Sequence, residues 1–256
     1  MKSLKVRSRL ALVGVWCWRI FISFIIYLLL VDWNFLFLFG QSPNIRTVDN
    51  PDLAVASEIF SRDSVLLGRY YLQDRSPVTF EQIPSSAVNA LLAAEDIRFY
   101  KHFGIELRTP FTIVYSSIMG DGRGGSTITQ QLAKNLFKTR SDAFGLFGRI
   151  PGIRVIVFKT KEWITALKLE FKYSKNEILT LYLNTVNFGS NAYGIKTAAR
   201  TFFSVPPESL SVEQSVLLVG LLKAPSYYSP VLNPDRSIAR RNIVISQMVK
   251  YEFLKP

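Results

Sequence analysis

The stretch EDIRFYKHFG, residues 95–104, and the stretch GGSTITQQLAKN, residues 124–135, decide the fold of this chain. The acidic pair at the start of the first stretch follows a largely apolar run, residues 87–94. Glu95 therefore lies where a core helix ends, which is a costly place for a charge unless the protein uses it. This position is the first indication of chemistry.

The composition restricts the chemistry that this chain can perform. Its 256 residues are 48% hydrophobic, which is enough for one good-sized core, so a single catalytic domain is expected. Cys17 is the only cysteine and His102 the only histidine, which excludes internal disulfides and Cys/His zinc sites. Catalysis must then depend on carboxylates, lysines or hydroxyls.

The net charge of +12 is concentrated in two parts of the sequence. Residues 1–9 carry four basic residues and no acid, and residues 123–175 carry eleven basic residues against three acidic ones. The remaining basic and acidic residues cancel. This distribution predicts an anionic ligand or a membrane surface at the second segment. No nucleic-acid partner is expected, because the usual motifs and the interleaving of aromatic and basic residues are missing.

The sequence from Leu10 to Phe39 is almost wholly apolar, and its only charged residues are Arg19 and Asp32. A helix needs roughly 20 such residues to cross a bilayer, which predicts one span at about residues 16–38. Arg19 is expected at the inner interface and Asp32 at the outer one, because a carboxylate is costly at the membrane centre. A cleaved signal peptide is the alternative, but the apolar part is too long and no small-x-small site follows it.

These patterns divide the chain into four segments. They are a basic cytoplasmic tail (1–15), a transmembrane anchor (16–39), a linker with a small β-hairpin at residues 58–71 (40–78) and a mainly α-helical domain (79–256). Three capping-box patterns, at 79–82, 174–177 and 211–214, predict helix starts in the last segment, and a further helix is predicted from 237 to 253.

Each decisive stretch offers candidate polar groups. If the first stretch is helical, Glu95, Phe99 and His102 share one face. Such a face is also typical of a capped helix end with a histidine whose hydrogen bonds are made within the protein.

In the second stretch, glycines at 120, 122, 124 and 125 lead into a helix start at Ser126, whose free N–H groups favour an anion. Thr127, Gln130, Gln131 and Lys134 then line one face, for which an ordinary solvated face is the alternative. A nucleotide P-loop is excluded, since Ser126 occupies the position of its lysine.

A third element begins at Lys159 and predicts a helix that runs to Tyr173. On this helix, Glu162 is not on the solvent-facing side that carries the lysines. Its carboxylate is therefore either a structural ion-pair partner or a functional group. Together with Glu95 it supplies the paired carboxylates that glycosyl transfer commonly uses.

Four ordered motifs between Phe80 and Met248 resemble those of the peptidoglycan glycosyltransferases. This family comprises the N-terminal halves of class A penicillin-binding proteins and the monofunctional biosynthetic transglycosylases. The matching positions are Glu95-Asp96-x-x-Phe99-x-x-His102-x-Gly104, Gly125-x-Thr127-x-x-x-Gln131-x-x-Lys134-Asn135, Lys159-x-x-Glu162 and Lys175-x-x-Ile178-Leu179-x-x-Tyr182-Leu183-Asn184.

The resemblance implies a lysozyme-like α-helical fold with a membrane-associated lobe and polymerisation of lipid II by inverting transfer. Glu95 corresponds to the general base, and Glu162 to a second glutamate that supports the departing undecaprenyl pyrophosphate. No cofactor is implied with certainty, although Mg²⁺ or Mn²⁺ is a candidate at the pyrophosphate. The implied substrate-binding residues are Asp96, Phe99, His102, Ser126, Thr127, Gln131, Lys134, Asn135 and Lys159.

The resemblance also implies a location and partners. The expected location is the bacterial plasma membrane, with one span, a cytoplasmic N-terminus and a periplasmic catalytic domain. The expected partners are lipid II, the growing glycan chain, membrane lipids and a cell-wall synthesis complex.

Residues 143–158 fit the membrane-associated lobe that the family inserts into the bilayer. One position departs from the family: Phe158 stands where many relatives have arginine, and Arg154 is a candidate replacement.

Two other functions remain open from the sequence. The first is a lytic, muramidase-like enzyme of the same fold with Glu95 as general acid. The second is a catalytically idle membrane-anchored scaffold. The basic segment and Glu95, Lys134 and Glu162 favour synthesis over both. Neither Ser-x-x-Lys nor Lys-Thr-Gly occurs in the sequence, which predicts that this chain does not bind penicillin.

Overall fold

A computed structural model describes residues 2–44, 48, 57–70, 74–106, 125–137 and 145–255 of the chain. The described part is mainly helical, as the sequence predicts. The helices are α1 (Lys2–Asp32), α2 (Ser85–Glu95), α3 (Ile128–Phe137), α4 (Ile153–Lys172), α5 (Lys175–Thr185), α6 (Ile195–Phe203), α7 (Val212–Leu221) and α8 (Pro234–Lys250). The strands are β1 (Ser57–Phe60), β2 (Leu66–Tyr70), β3 (Asp74–Arg75) and β4 (Ala192–Tyr193).

The chain divides into two compact units. The first comprises Met1–Asn44 and Thr139–Thr165, and the second comprises Ile45–Lys138 and Ala166–Pro256. Helix α4 contributes residues to both units.

In the first unit, α1 contains the expected apolar span. Its segment Leu12–Asp32 is long and apolar enough to cross a membrane. The helix ends at Asp32, before the predicted end of the span near Leu38. Asn34 follows in the left-handed conformation with φ of 50°, and its side chain accepts the backbone N–H groups of Phe39 (3.1 Å) and Gly40 (2.7 Å). These bonds turn the chain and prevent the helix from continuing.

The core of the first unit joins the end of α1 to α4. Val31, Phe39, Val157 and Ile164 are buried together there. The hydroxyl of Tyr27 also lies 3.0 Å from that of Thr160. Burial of each large apolar side chain contributes about 1.5–3 kcal/mol, so this small core stabilises the local packing of the two helices.

The predicted hairpin is confirmed in the second unit. Strands β1 and β2 pair antiparallel, from Ser57 opposite Tyr70 to Phe60 opposite Leu66, with an irregularity between Ile59 and Phe60. A second, two-residue pairing joins β3 and β4 in parallel. The sequence does not predict this pairing, because two residues are too few to show strand periodicity.

The main core of the second unit lies among its helices. Helix α2 packs against α7 and α8, and α3 packs against α5. Fully buried side chains from several of these helices meet in one cluster. They include Leu91, Leu132, Leu179, Leu183 and Leu218.

Two of the three predicted capping boxes start helices. Ser174 and Ser211 cap α5 and α7, with Glu177 and Gln214 completing the boxes. The third, Thr79 with Gln82, opens only a 3-10 turn, and α2 begins at Ser85. Pro84 explains the difference, because a residue before proline favours an extended conformation and interrupts the helix.

The predicted start of α4 at Lys159 was wrong. The helix already begins at Ile153, directly after Gly152 with φ of 85°. A left-handed φ is accessible to glycine without strain, so Gly152 can form the turn that directly precedes the helix. Lys159 and Glu162 therefore lie inside the helix, away from its free N–H groups.

Candidate active site

Glu95 is the last residue of α2 and its side chain is half-buried. Asp96 leaves the helical conformation with φ of −158° and ψ of 74°, and a 3-10 turn, Phe99–Lys101, follows. The expectation of one continuous helical face with Glu95, Phe99 and His102 was therefore wrong. The chain turns at Asp96, and this turn separates Glu95 from the residues that follow it.

Asp96 and His102 pair with each other. His102 Nε2 lies 3.0 and 2.9 Å from the two carboxylate oxygens of Asp96. Asp96 Oδ2 also accepts the backbone N–H of Ile128 at 3.1 Å, at the first residue of α3. A carboxylate at this position stabilises a helix start. One of the N–H groups expected to face an anionic ligand is thus satisfied by the protein itself.

Thr127 connects the two decisive stretches. Its side chain is only 4% exposed, and its hydroxyl accepts the N–H of Gln130 (3.2 Å) and donates to the carbonyl of Gly104 (2.7 Å). The side chain of Gln130 donates to the same carbonyl at 3.3 Å. Thr127 is therefore the N-cap of α3 and also binds the end of the first stretch.

Gly104 must be glycine at this junction. Its φ is +75°, and a Cβ there would lie 3.0 Å from both the carbonyl oxygen of Ala166 and Cγ of Glu170. Both the conformation and the lack of space exclude a side chain. This explains the glycine that ends the first stretch.

Gln131 links Glu95 to the core. Its Nε2 donates to Glu95 Oε2 at 2.8 Å, and its Oε1 accepts from the hydroxyl of Tyr182 at 3.0 Å. Burial, and secondly the negative charge of Glu95, raise the pKa of Tyr182 well above its ordinary value. Within the described part of the chain, Glu95 Oε1 makes no hydrogen bond. A carboxylate held by one oxygen and open at the other can accept a proton from a bound hydroxyl.

The buried carboxylate of Glu170 binds residues that surround this site. Glu170 accepts the hydroxyl of Thr129 at 2.6 Å and the ammonium of Lys175 at 2.8 Å. Lys175 also donates to the carbonyl of His102 at 2.7 Å and lies 4.4 Å from the centroid of the Phe99 ring. Phe99 itself is completely buried, so we assign it to the packing beneath the site.

The remaining predicted residues of the second stretch lie on or before α3. Lys134 and Asn135 follow Gln131 by three and four residues, which places all three on one side of the helix. Ser126 and Lys134 are half-buried and Asn135 is exposed. The glycines at 120, 122 and 124 lie outside the described residues.

Lys159 and Glu162 belong to the first unit and pair there. Lys159 Nζ lies 3.1 Å from Glu162 Oε2, and the Glu162 side chain is only 2% exposed. The neighbouring Lys161 donates to the carbonyl of Gln41 at 3.1 Å, and burial lowers its pKa to about 8. Among the described residues, no group of three His, Cys, Asp or Glu side chains could hold a metal ion.

Lys175 and Tyr182 belong to the fourth motif, but the sequence indicates no contact for either of them, and it gives no role to Glu170. The signals for such contacts are weak in the sequence: a tyrosine among the apolar residues of the fourth motif, and a glutamate five residues before a lysine. Such signals become informative only when the partner is known. The partner of Tyr182 is 51 positions away along the chain.

Comparisons with known proteins identify relatives of this chain. Residues 63–249 match the family model described as Transglycosylase. The chain is 34% identical to penicillin-binding protein 1A of Pseudomonas aeruginosa, over 86% of this chain and 26% of the relative. It is 38% identical to penicillin-binding protein 1F of Bacillus subtilis, over 77% of this chain and 26% of the relative.

A solved structure is also similar. The crystal structure of penicillin-binding protein 1A from Haemophilus influenzae aligns with a TM-score of 0.43 and 23% identity, over 80% of this chain and 19% of that chain. The chain spans about a quarter of the length of the curated relatives that it matches.

Proposed function

Because the chain belongs to the transglycosylase family, we propose that it polymerises lipid II into β-1,4-linked glycan strands. The observation that carries this proposal is the hydrogen bonding of the Glu95 carboxylate. Its Oε2 is held by Gln131 at 2.8 Å, while Oε1 is open within the described part of the chain. This arrangement suits a general base that receives a proton from an incoming sugar hydroxyl.

The reaction that we assign to Glu95 is the one that the family resemblance implies. Glu95 takes the proton of the GlcNAc 4-hydroxyl of the acceptor, and the hydroxyl oxygen forms a bond to C1 of the MurNAc of the donor. The bond between C1 and the pyrophosphate oxygen breaks at the same time. Undecaprenyl pyrophosphate leaves with the electron pair, and the configuration at C1 inverts because attack occurs opposite to the leaving group.

Cationic groups are proposed to stabilise the negative charge that develops on the pyrophosphate. Lys134 on α3 and Lys159 on α4 are assigned this role, with Glu162 holding Lys159 in place through their 3.1 Å ion pair. Removal of one preorganised electrostatic group typically costs about 10²–10³ in rate. Arg154, one helical turn before Phe158, is proposed to replace the arginine that many relatives have at Phe158.

A Mg²⁺ or Mn²⁺ ion is a candidate at the pyrophosphate of the substrate. No group of three suitable ligands exists among the described residues, and Glu162 already pairs with Lys159. The described residues therefore do not form a protein-held metal site, so such an ion would be bound mainly by the phosphates of the substrate.

The first unit supports a membrane location. In addition to the apolar span Leu12–Asp32, the start of α4 exposes Val155 (65%) and Ile156 (60%), and the preceding turn exposes Leu146 (58%). Exposed apolar side chains beside basic ones are typical of an element that enters the bilayer interface. We propose a single-pass protein of the bacterial plasma membrane whose catalytic domain faces the periplasm and whose substrate and partners are lipid II, the growing glycan chain, membrane lipids and a cell-wall synthesis complex.

The direct experiment is incubation of the detergent-purified chain with labelled lipid II and separation of the products on a gel. The proposal expects a ladder of polymer and no release of fragments from purified cell wall. Digestion of cell wall without polymer formation would instead identify a lytic enzyme. Neither activity would identify a scaffold.

A further inference from the structure

The hydroxyl of Tyr182 is a polar group within an apolar part of the core. Its neighbours on the buried face of α5, Ile178, Leu179 and Leu183, are all apolar and fully buried. Tyr182 is itself only 1% exposed. A phenylalanine would fill the same space without needing a hydrogen-bond partner, so the partner of the hydroxyl indicates its purpose. That partner is Gln131 Oε1, at 3.0 Å.

The chemistry of Tyr182 determines which way this bond runs. Burial and the charge of Glu95 raise the pKa of Tyr182 well above its ordinary value, so the hydroxyl keeps its proton and can donate. Gln131 Oε1 is then the acceptor, and Nε2 must face Glu95. The reversed amide would bring Oε1 against the carboxylate, where two acceptors repel each other.

Three helices meet at this chain of bonds. Glu95 ends α2, Gln131 lies on α3 and Tyr182 lies on α5. The bond of 2.8 Å from Gln131 fixes Glu95 Oε2, and within the described residues Oε1 remains open. Loss of the Tyr182 hydroxyl would leave the ring packing intact but would release the orientation of the amide.

We propose that Tyr182 is a positioning residue for glycosyl transfer, which acts through Gln131 to hold the carboxylate of Glu95 in the orientation that receives the acceptor proton. The inference rests on the proposed function of Glu95. It also assigns Gln131 to the support of Glu95, in place of the contact with substrate that the family resemblance implies.

The test removes one oxygen atom. Tyr182→Phe is expected to lower kcat for lipid II polymerisation about three- to tenfold, the value of one neutral hydrogen bond, and to leave KM within about twofold. Only kcat should respond, because the hydroxyl bears on the base and not on the binding of substrate. Tyr227→Phe is the matched control, since it removes a hydroxyl from a half-exposed ring elsewhere in the second unit and should change neither constant.

A double-mutant cycle separates positioning from simple stabilisation. If Tyr182 acts only through Gln131, adding Tyr182→Phe to Gln131→Ala should change kcat by less than about twofold. A purely structural hydroxyl would lower activity equally in both backgrounds. Circular dichroism of each variant shows whether it is folded, and rates are compared per folded protein.

The outcomes are distinct. A normal kcat for Tyr182→Phe beside an active wild type would overturn the inference and leave the proposed function intact. Equal effects of Tyr182→Phe in both backgrounds, or an effect on KM alone, would also overturn it. If the wild type makes no polymer, the proposed function fails and the inference fails with it.

Discussion

Substitution of Thr127 by valine should destabilise the second unit by a predictable amount. The change removes one hydroxyl and keeps the branched shape of a side chain that is 4% exposed. Loss of the N-cap bond to Gln130 costs about 1 kcal/mol. Loss of the bond to the carbonyl of Gly104 costs about another 1 kcal/mol. The free energy of unfolding should therefore fall by about 2 kcal/mol, which is roughly a thirtyfold change in the unfolding equilibrium constant.

The measurement is denaturation by guanidinium in detergent, followed by far-ultraviolet circular dichroism. A lower midpoint with an unchanged slope reports a change in stability alone. Thr127→Ser is the matched control, because it keeps the hydroxyl and loses only a methyl group, at about 0.8 kcal/mol. If the Thr127→Val variant has the same free energy of unfolding as the Thr127→Ser variant, the hydroxyl does not hold α3 against Gly104. The structural role assigned to Thr127 would then be wrong.

Three further changes test other contacts of the structure. Glu170→Gln removes the charge that pairs with Lys175, and should lower the free energy of unfolding by about 1.5–3 kcal/mol, whereas Glu208→Gln at an exposed site should cost under about 0.5 kcal/mol. Gly104→Ala, at φ of +75°, should cost about 1–3 kcal/mol in the same denaturation assay, and a wild-type midpoint would contradict the strain. The pKa of Lys161 is lowered from 10.5 to about 8, so above pH 8 the unfolded chain binds more protons than the folded one. Wild-type stability relative to Lys161→Met should therefore rise between pH 8 and 10.5 in thermal melts, and parallel pH curves for the two proteins would exclude this linkage.

Local signals in the sequence were sufficient for the larger features of the fold. The capping boxes at Ser174 and Ser211 each predict a helix, because both partners lie within three residues of each other. The apolar run that becomes α1 and the turn between β1 and β2 are equally local. Where a stronger local rule competed, the prediction was wrong: Pro84 delays α2 beyond Thr79, and Gly152 starts α4 before Lys159.

The site depends on contacts between distant positions, which sequence periodicity does not reveal. Asp96, which the resemblance places among the substrate-binding residues, caps α3 at Ile128, 32 positions later, and no local pattern indicates this contact. The helical face expected for the first stretch fails because that cap requires the chain to turn after Glu95. The family resemblance identified the motif residues, and the structure shows which of them form hydrogen bonds with each other.

Glu95→Gln tests the central claim most directly. The substitution keeps the shape of the side chain and removes the base, so the acceptor hydroxyl retains its proton and attack on C1 should nearly stop. The measurement is polymer formation from labelled lipid II by wild type and variant, with binding of lipid II and folding checked on the same preparations. The account predicts polymer from the wild type, almost none from Glu95→Gln, and normal binding by both. Wild-type polymer yield from Glu95→Gln would contradict it.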